Sequence, residues 1–216
     1  MLNNKCKVKK LVAMLMSFVM LIALIPISVT AFADPPEKKS SMIFYENENL
    51  TQEQIDNRFN EINSRYSVGE PFSSSDADFI MKYAMEPGSS RNHSINFDKT
   101  GGSKSWTTWV NLSGNIWQNN TSKQWGGNAK VTVLGTVYDV TSIYIELECV
   151  MYGYNGTTIS IVYHSYISGT SPVYNPASYS ISGTKNITAI GALYLYLNAS
   201  CTVSTTQPTT FMVLGC

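Results

Sequence analysis

The chain has 216 residues with 15 basic and 15 acidic side chains, and it is 44% hydrophobic, 14% charged and 12% aromatic. That apolar content supports a packed core and excludes wholesale disorder. The length fits one domain plus a short appendage, and a formal charge of zero gives nucleic acid no footing as a partner.

Residues 1–33 read as an address. Lys5, Lys7, Lys9 and Lys10 precede an apolar run from Leu11 to Val29, and Ala31-Phe32-Ala33 forms a small-x-small cleavage pattern. This pattern predicts a signal peptide cleaved after Ala33 and a secreted protein. A retained anchor is the rival, because the run approaches the ~20 residues that cross a bilayer. Pro26 and the cleavage pattern favour removal. Cys6 leaves with the leader. Removal leaves eleven basic and fifteen acidic groups, a net charge of −4. The imbalance is local: residues 34–95 carry −5 and residues 96–216 carry +1. The expected organisation is therefore 1–33 signal peptide, 34–95 flexible N-terminus and short helical pair, and 96–216 antiparallel β-domain.

The helical pair has clear local signals. Thr51 and Gln54 can form a capping box, and Leu50 can staple against Ile55. Ile55, Phe59, Ile62 and Tyr66 recur at spacings of three and four and make one apolar stripe. Gly69-Glu70-Pro71 ends it. A second, shorter helix is expected with Ser73 to Asp78 at its start, carrying Phe79, Ile80, Tyr83 and Ala84. Stripes this narrow need a partner surface. Docking on the following domain is favoured over a removable pro-segment.

From about residue 104 the period becomes strand-like. Segments rich in Val, Ile, Thr and Tyr alternate with apparent turns at Ser113-Gly114, Gly126-Gly127, Gly135, Asn155-Gly156, Ser168-Gly169, Ser182-Gly183 and Gln207-Pro208. That spacing predicts a mainly β fold, an antiparallel β-sandwich or barrel-like domain. The clearest hairpin joins Ile143–Tyr152 to Ile159–Ile167. A two-residue Asn155-Gly156 turn would pair Cys149 with Val162 and bring His164 to the Cys149 face. A three-residue connection with a bulge would match Leu147, Cys149 and Met151 with Ile159, Ile161 and Tyr163, and set His164 opposite Glu148 on the solvent face. The better apolar match favours the second register.

Three cysteines follow the leader: Cys149, Cys201 and Cys216. Export permits a disulfide, and a tight connection at Gln207-Pro208 predicts a Cys201–Cys216 pair, with Cys149 a buried thiol. The alternatives are pairing of Cys149 with one of the others, or of the odd cysteine with a second chain.

Catalytic vocabulary is sparse. A Cys149–His164 pair needs hydrogen-bond reach and a polarised sulfur, which the favoured register denies. His93 falls in a loop and reads as solvated. Glu146 and Glu148 project two residues apart, as a glycosidase pair might, but an exposed strand face whose charges discourage edge pairing is the favoured reading. No spacing suits a metal site or a phosphate loop. No enzyme activity, cofactor or metal is expected.

Aromatic residues are the remaining candidates. Trp106, Trp109, Trp117 and Trp125 lie within twenty residues, and Tyr144, Tyr152, Tyr194 and Tyr196 are read as pointing away from the core, with Leu193, Leu195 and Leu197 inward. Rigid aromatic area suits recognition, although core packing accounts for any single tryptophan. The expected role is non-catalytic binding of an extracellular protein or glycan through these eight residues. A membrane-active toxin or bacteriocin, using strands such as Ser178–Ile190, is the first alternative, and a hydrolase with an unrecognised site is the second. In layout, the leader, acidic helical pair and Tyr/Ser/Thr-rich β-domain are similar to small exported proteins of Gram-positive bacteria. The segments Arg65–Phe72 and Ser113–Trp117 have the look of motifs.

Overall fold

A computed structural model describes residues 44–85, 92–103, 108–135, 140–172, 174–206 and 210–214. From Phe44 onward the chain forms one compact unit. After a short helical turn, Tyr45–Asn47, come α1 (Gln52–Arg65) and α2 (Ser74–Tyr83). Among the described residues eight strands follow: β1 (His93–Ser103), β2 (Thr108–Asn119), β3 (Gln124–Leu134), β4 (Val140–Asn155), β5 (Thr158–Thr170), β6 (Ser178–Asn186), β7 (Ala192–Thr205) and β8 (Thr210–Leu214). They build two four-stranded antiparallel sheets, β1-β2-β3-β6 and β5-β4-β7-β8. The fold is a β-sandwich preceded by two short helices, the class expected from the sequence.

The two sheets enclose a core that includes Val110, Leu112, Ile116, Trp125 and Val131 from the first, and Ile143, Ile145, Leu147, Cys149, Leu195 and Val203 from the second. The helices make a third layer. Phe59, Ile62, Phe79 and Ile80 are buried against Val150, Tyr152, Ile159, Ile161 and Tyr196 on the outer face of the second sheet. Each side chain so buried contributes about 1.5–3 kcal/mol, so the helical stripes do find the partner surface they require.

The helix ends form as the sequence predicts. Thr51 Oγ1 accepts from the Gln54 backbone and Gln54 Oε1 accepts from the Thr51 N–H at 2.8 Å, which satisfies two N-terminal groups of α1. Ser73 caps α2 by accepting from Asp76 N at 3.1 Å. The Arg65–Phe72 motif is the connector. Gly69 (φ +84) allows the reversal, Gly69 N donates to Ile161 O at 2.8 Å, and Phe72 N donates to Ile159 O at 2.9 Å. At the other edge, Met85 and Leu195 exchange two backbone hydrogen bonds of 2.9 and 2.7 Å. Asp76, 1% exposed, is the hub. It accepts from Arg58 at 2.6 Å, Arg65 at 3.3 Å, Tyr66 Oη at 2.8 Å and Ser73 Oγ at 2.8 Å.

Three sequence expectations need correction. First, the strands begin at His93 rather than near residue 104, and His93 opens β1 with its Nε2 buried instead of lying solvated in a loop. Second, Ser113-Gly114, Gly126-Gly127, Ser168-Gly169 and Ser182-Gly183 lie inside strands. These glycines make room for neighbours rather than turns. A Cβ on Gly183 would lie 3.0 Å from the Ile167 side chain, and one on Gly127 would lie 3.0 Å from Leu147. The β2–β3 reversal instead uses Asn120 to Lys123, where Ser122 N donates to Asn119 Oδ1 at 2.9 Å.

Third, the β4–β5 hairpin adopts neither anticipated register. Its turn residues are Gly156 and Thr157, between the paired Asn155 and Thr158. Gly156 has φ +68, the positive value a two-residue loop wants at its first position. Tyr154 pairs with Ile159 and Tyr152 with Ile161, and the register then shifts so that Met151 pairs with Tyr163. The bulge reverses the face on which β5 side chains emerge. Ile159 and Ile161 therefore join the helix-covered face, while Val162, Tyr163 and Ile167 pack on the inter-sheet core. Both faces of β5 thus gain apolar cover, which no single alternation allows.

Candidate binding face

The first sheet presents an outer face that no helix of the described residues covers. On β2 the side chains of Trp109, Asn111, Ser113, Asn115 and Trp117 alternate with the buried Val110, Leu112 and Ile116. Antiparallel pairing sets Gly102, Thr100, Asp98, Asn96 and Ser94 of β1 beside them. Leu134, Thr132, Lys130, Asn128 and Gly126 of β3 lie on the other side, and Ser178, Ser180, Ser182 and Thr184 of β6 complete the surface.

The two indoles owe their orientation to glycine. Trp109 is paired with Gly102, and Trp117 with Gly126. A Cβ on Gly102 would sit 3.0 Å from Trp109 Cδ2, and one on Gly126 would sit 2.9 Å from Trp117 Cζ2. Each ring therefore covers the space its glycine leaves and lies over the neighbouring strand. Trp109 is 38% exposed and Trp117 is partly exposed. They lie eight positions apart on extended strand, about 26 Å at ~3.3 Å per residue.

Between the rings the floor is polar and ordered. Asn115 Nδ2 donates to Ser94 Oγ at 2.8 Å, to Ile95 O at 3.2 Å and to Asn96 Oδ1 at 2.9 Å. Asn111 Nδ2 donates to Asp98 and, at 3.5 Å, to Thr100 Oγ1. Amides anchored in this way cannot rotate freely, so their positions are set before any ligand arrives.

The other candidates are distributed differently. Trp106 lies outside the described residues. Trp125 is fully buried in the sandwich core, where its Nε1–H donates to Tyr163 Oη at 2.9 Å. Tyr152 and Tyr196 do point away from the inter-sheet core, but the helices cover them. Tyr152 is 0% exposed and donates to Asn63 Oδ1 at 2.7 Å, and Tyr196 stacks on Phe59 with ring centroids 4.2 Å apart. Tyr194 is half-buried against the same apolar layer. Leu193, expected inward, is 40% exposed. Four of the eight aromatic residues are thus packing residues here: Trp125 fills the sandwich core, and the acidic helical pair occupies the face that Tyr152, Tyr194 and Tyr196 were expected to offer.

Beyond the helices, the second sheet shows a smaller polar patch. His164 Nε2 lies 2.8 Å from Glu148 Oε1, and Tyr144 Oη donates to Glu146 Oε2 at 2.6 Å. The Glu148 side chain is 9% exposed, so it is no freely solvated strand charge. Burial, followed by the charges of Glu148 and Glu146, pushes the Tyr166 hydroxyl up to about 12. Burial also raises Tyr144, reinforced by its bond to Glu146. The favoured register set His164 opposite Glu148. The residue directly across from Glu148 is Tyr166, and His164 reaches the carboxylate from the neighbouring pair.

Cys149 faces the opposite way, fully buried in the inter-sheet core, where burial drives its thiol far above its ordinary range. It cannot meet His164. The expected Cys201–Cys216 disulfide involves Cys216, which lies outside the described residues. Cys201 is buried on β7 opposite Val213, and no disulfide joins it to Cys149. Among the described residues no group of three His, Cys, Asp or Glu side chains could hold a metal ion, and no helix is long and apolar enough to cross a membrane. The Ser178–Ile190 segment contributes an edge strand whose Tyr179 and Ile181 pack on the core.

Comparison with known protein families and with characterised proteins finds no match for this chain.

Sequence reasoning singled out Trp109 and Trp117 but missed Asn111, Asn115, Asp98 and their neighbours. The signal was present. Trp109, Asn111, Ser113, Asn115 and Trp117 alternate perfectly, and only the reading of Ser113-Gly114 as a turn concealed it.

Proposed function

We propose that this is an exported, non-catalytic glycan-binding protein, and that the outer face of the first sheet is its binding surface. The observation that carries this reading is the pair of flattened, partly exposed indoles on one strand, bracketing a floor of fixed amides and hydroxyls. A sugar chain offers apolar ring faces and a dense fringe of hydroxyl groups. Indole faces accept the former by stacking, and Asn, Ser and Thr side chains exchange hydrogen bonds with the latter. A straight, shallow surface suits an extended polymer better than a compact molecule, which would need a concave pocket. The low charge of the face fits a neutral ligand.

The test is a polysaccharide and oligosaccharide binding screen with the full chain, followed by Trp109→Ala, Trp117→Ala and the double variant. Each single substitution should weaken binding at least tenfold, and the double variant should abolish it, with the thermal midpoint little changed for Trp109→Ala. Undiminished binding in the double variant, or no binding to any glycan, would remove the reading.

A further inference from the structure

The polar floor of the first sheet has a chemical polarity. Ile95 O and the Asp98 carboxylate can only accept hydrogen bonds, so the amide nitrogens of Asn115 and Asn111 are the atoms turned towards them. Asn115 Nδ2 also donates to Ser94 Oγ and Asn96 Oδ1, and Asn111 Nδ2 to Thr100 Oγ1. Both amides thus spend their donors within the protein. What each has left is Oδ1, which accepts from no group among the described residues. Both residues are only half-buried and lie on the open face.

These two acceptors also stand in matching places. The outward order along β2 is Trp109, Asn111, Ser113, Asn115, Trp117. Each indole therefore has an amide two positions inward of it, about 7 Å at ~3.3 Å per residue, and Ser113 is the midpoint. Each indole also has a glycine beside it on the neighbouring strand, Gly102 or Gly126. The two halves of the strand repeat one unit: a ring face and, next to it, one fixed carbonyl oxygen.

Resting on the glycan reading above, we infer that Trp109 with Asn111 and Trp117 with Asn115 are two equivalent subsites, and that their ligand is a linear β-1,4-linked pyranose polymer with equatorial, unsubstituted hydroxyls. An indole stacks only on a ring with no polar group standing out of its face, and an axial hydroxyl would hold the ring off. Equatorial hydroxyls lie in the plane of the ring and reach sideways to Oδ1, where an O–H can donate and an ether cannot. Equatorial links keep the chain extended, so it follows a straight strand from one indole to the other, whereas axial links coil it away. A chain that fills both subsites makes its second contact intramolecularly. One too short to span roughly 26 Å of strand forgoes that gain.

The experiment is calorimetric titration of the full chain with cellobiose, cellohexaose, chitohexaose, maltohexaose and per-O-methylated cellohexaose. Cellohexaose or chitohexaose should bind at least tenfold more tightly than cellobiose, maltohexaose and the methylated chain. Trp109→Ala and Trp117→Ala should each erase the advantage of the hexaose over cellobiose. Asn115→Leu should narrow the gap between free and methylated cellohexaose, a selectivity that a merely structural role would not move. If that variant does not fold, the ligand comparisons on the unaltered protein stand by themselves. Binding that is indifferent to chain length, to β against α linkage, or to methylation would overturn the assignment and leave glycan binding itself intact. Binding of none of these ligands would overturn it as well, and the wider glycan screen then decides the broader reading separately.

Discussion

Replacing Asp76 with alanine is the sharpest probe of how the helical pair is held. Asp76 is 1% exposed and accepts from Arg58, Arg65, Tyr66 and Ser73. Its loss leaves the Tyr66 and Ser73 hydroxyls without that acceptor and the Arg58 guanidinium without its buried partner. Removing one member of a buried charge pair costs about 3–5 kcal/mol. Arg58 is 25% exposed and keeps Glu61 at 2.9 Å, so part of its charge returns to water and the lower end, about 3 kcal/mol, applies. For a domain of this size about 2–4 °C is lost per kcal/mol, giving a drop of roughly 6–12 °C. Urea unfolding followed by circular dichroism measures the change, and a double-mutant cycle with Arg58→Ala isolates the pair. Hydrogen exchange should accelerate in α1 and α2 before it does in β4. A loss below 1 kcal/mol, or strict additivity with Arg58→Ala, would refute the view that this network clamps the helices.

Three further outcomes are expected. Gly126→Val brings a side chain against Gly183 O of β6 as well as Trp117, so it should shift both the β3–β6 pairing and the indole, reduce glycan binding and cost about 1–3 kcal/mol in urea unfolding; unchanged binding would show that Trp117 does not need its glycine. The Tyr166 hydroxyl is raised to about 12 in the folded state, above the ~10 of an unfolded chain. The unfolded state therefore loses that proton first, and stability should fall as pH rises from about 10 to about 12; ultraviolet titration should show a late-ionising tyrosine that shifts downward in Glu148→Gln. Cys149 is fully buried with its thiol held protonated, so iodoacetamide at pH 8 should leave it unlabelled until denaturant is added, as read by peptide mass spectrometry.

Much of the architecture is written locally. The Thr51–Gln54 capping box, the stripe from Ile55 to Tyr66, the Ser73 cap and the alternation of β4 each depend on residues a few positions apart, and all appear in the structure as the sequence implies. The candidate face was half legible, because Trp109 and Trp117 could be picked out while their exposure could not. Glycine was the main source of error. The same residue that opens a turn also makes space for a neighbouring side chain, and Gly114, Gly126, Gly169 and Gly183 do the second. A single sequence does not say which neighbour is near.

The primary structure by itself set the helix ends, the mainly antiparallel β character and the absence of close-spaced metal or nucleophile motifs, since all of these follow from short-range periodicity and side-chain chemistry. The tertiary structure alone decided which aromatic residues stay accessible. Tyr152 and Tyr196 turn away from the sandwich as their alternation requires, yet α1 and α2 fold back from far along the chain and bury them. It also decided the register of the β4–β5 hairpin: one bulge opposite Met151 exchanges the two faces of β5, so that His164 reaches Glu148 from the neighbouring pair and not from directly across the ladder. Both outcomes depend on long-range packing, where the burial of an entire face outweighs what any local pattern prefers.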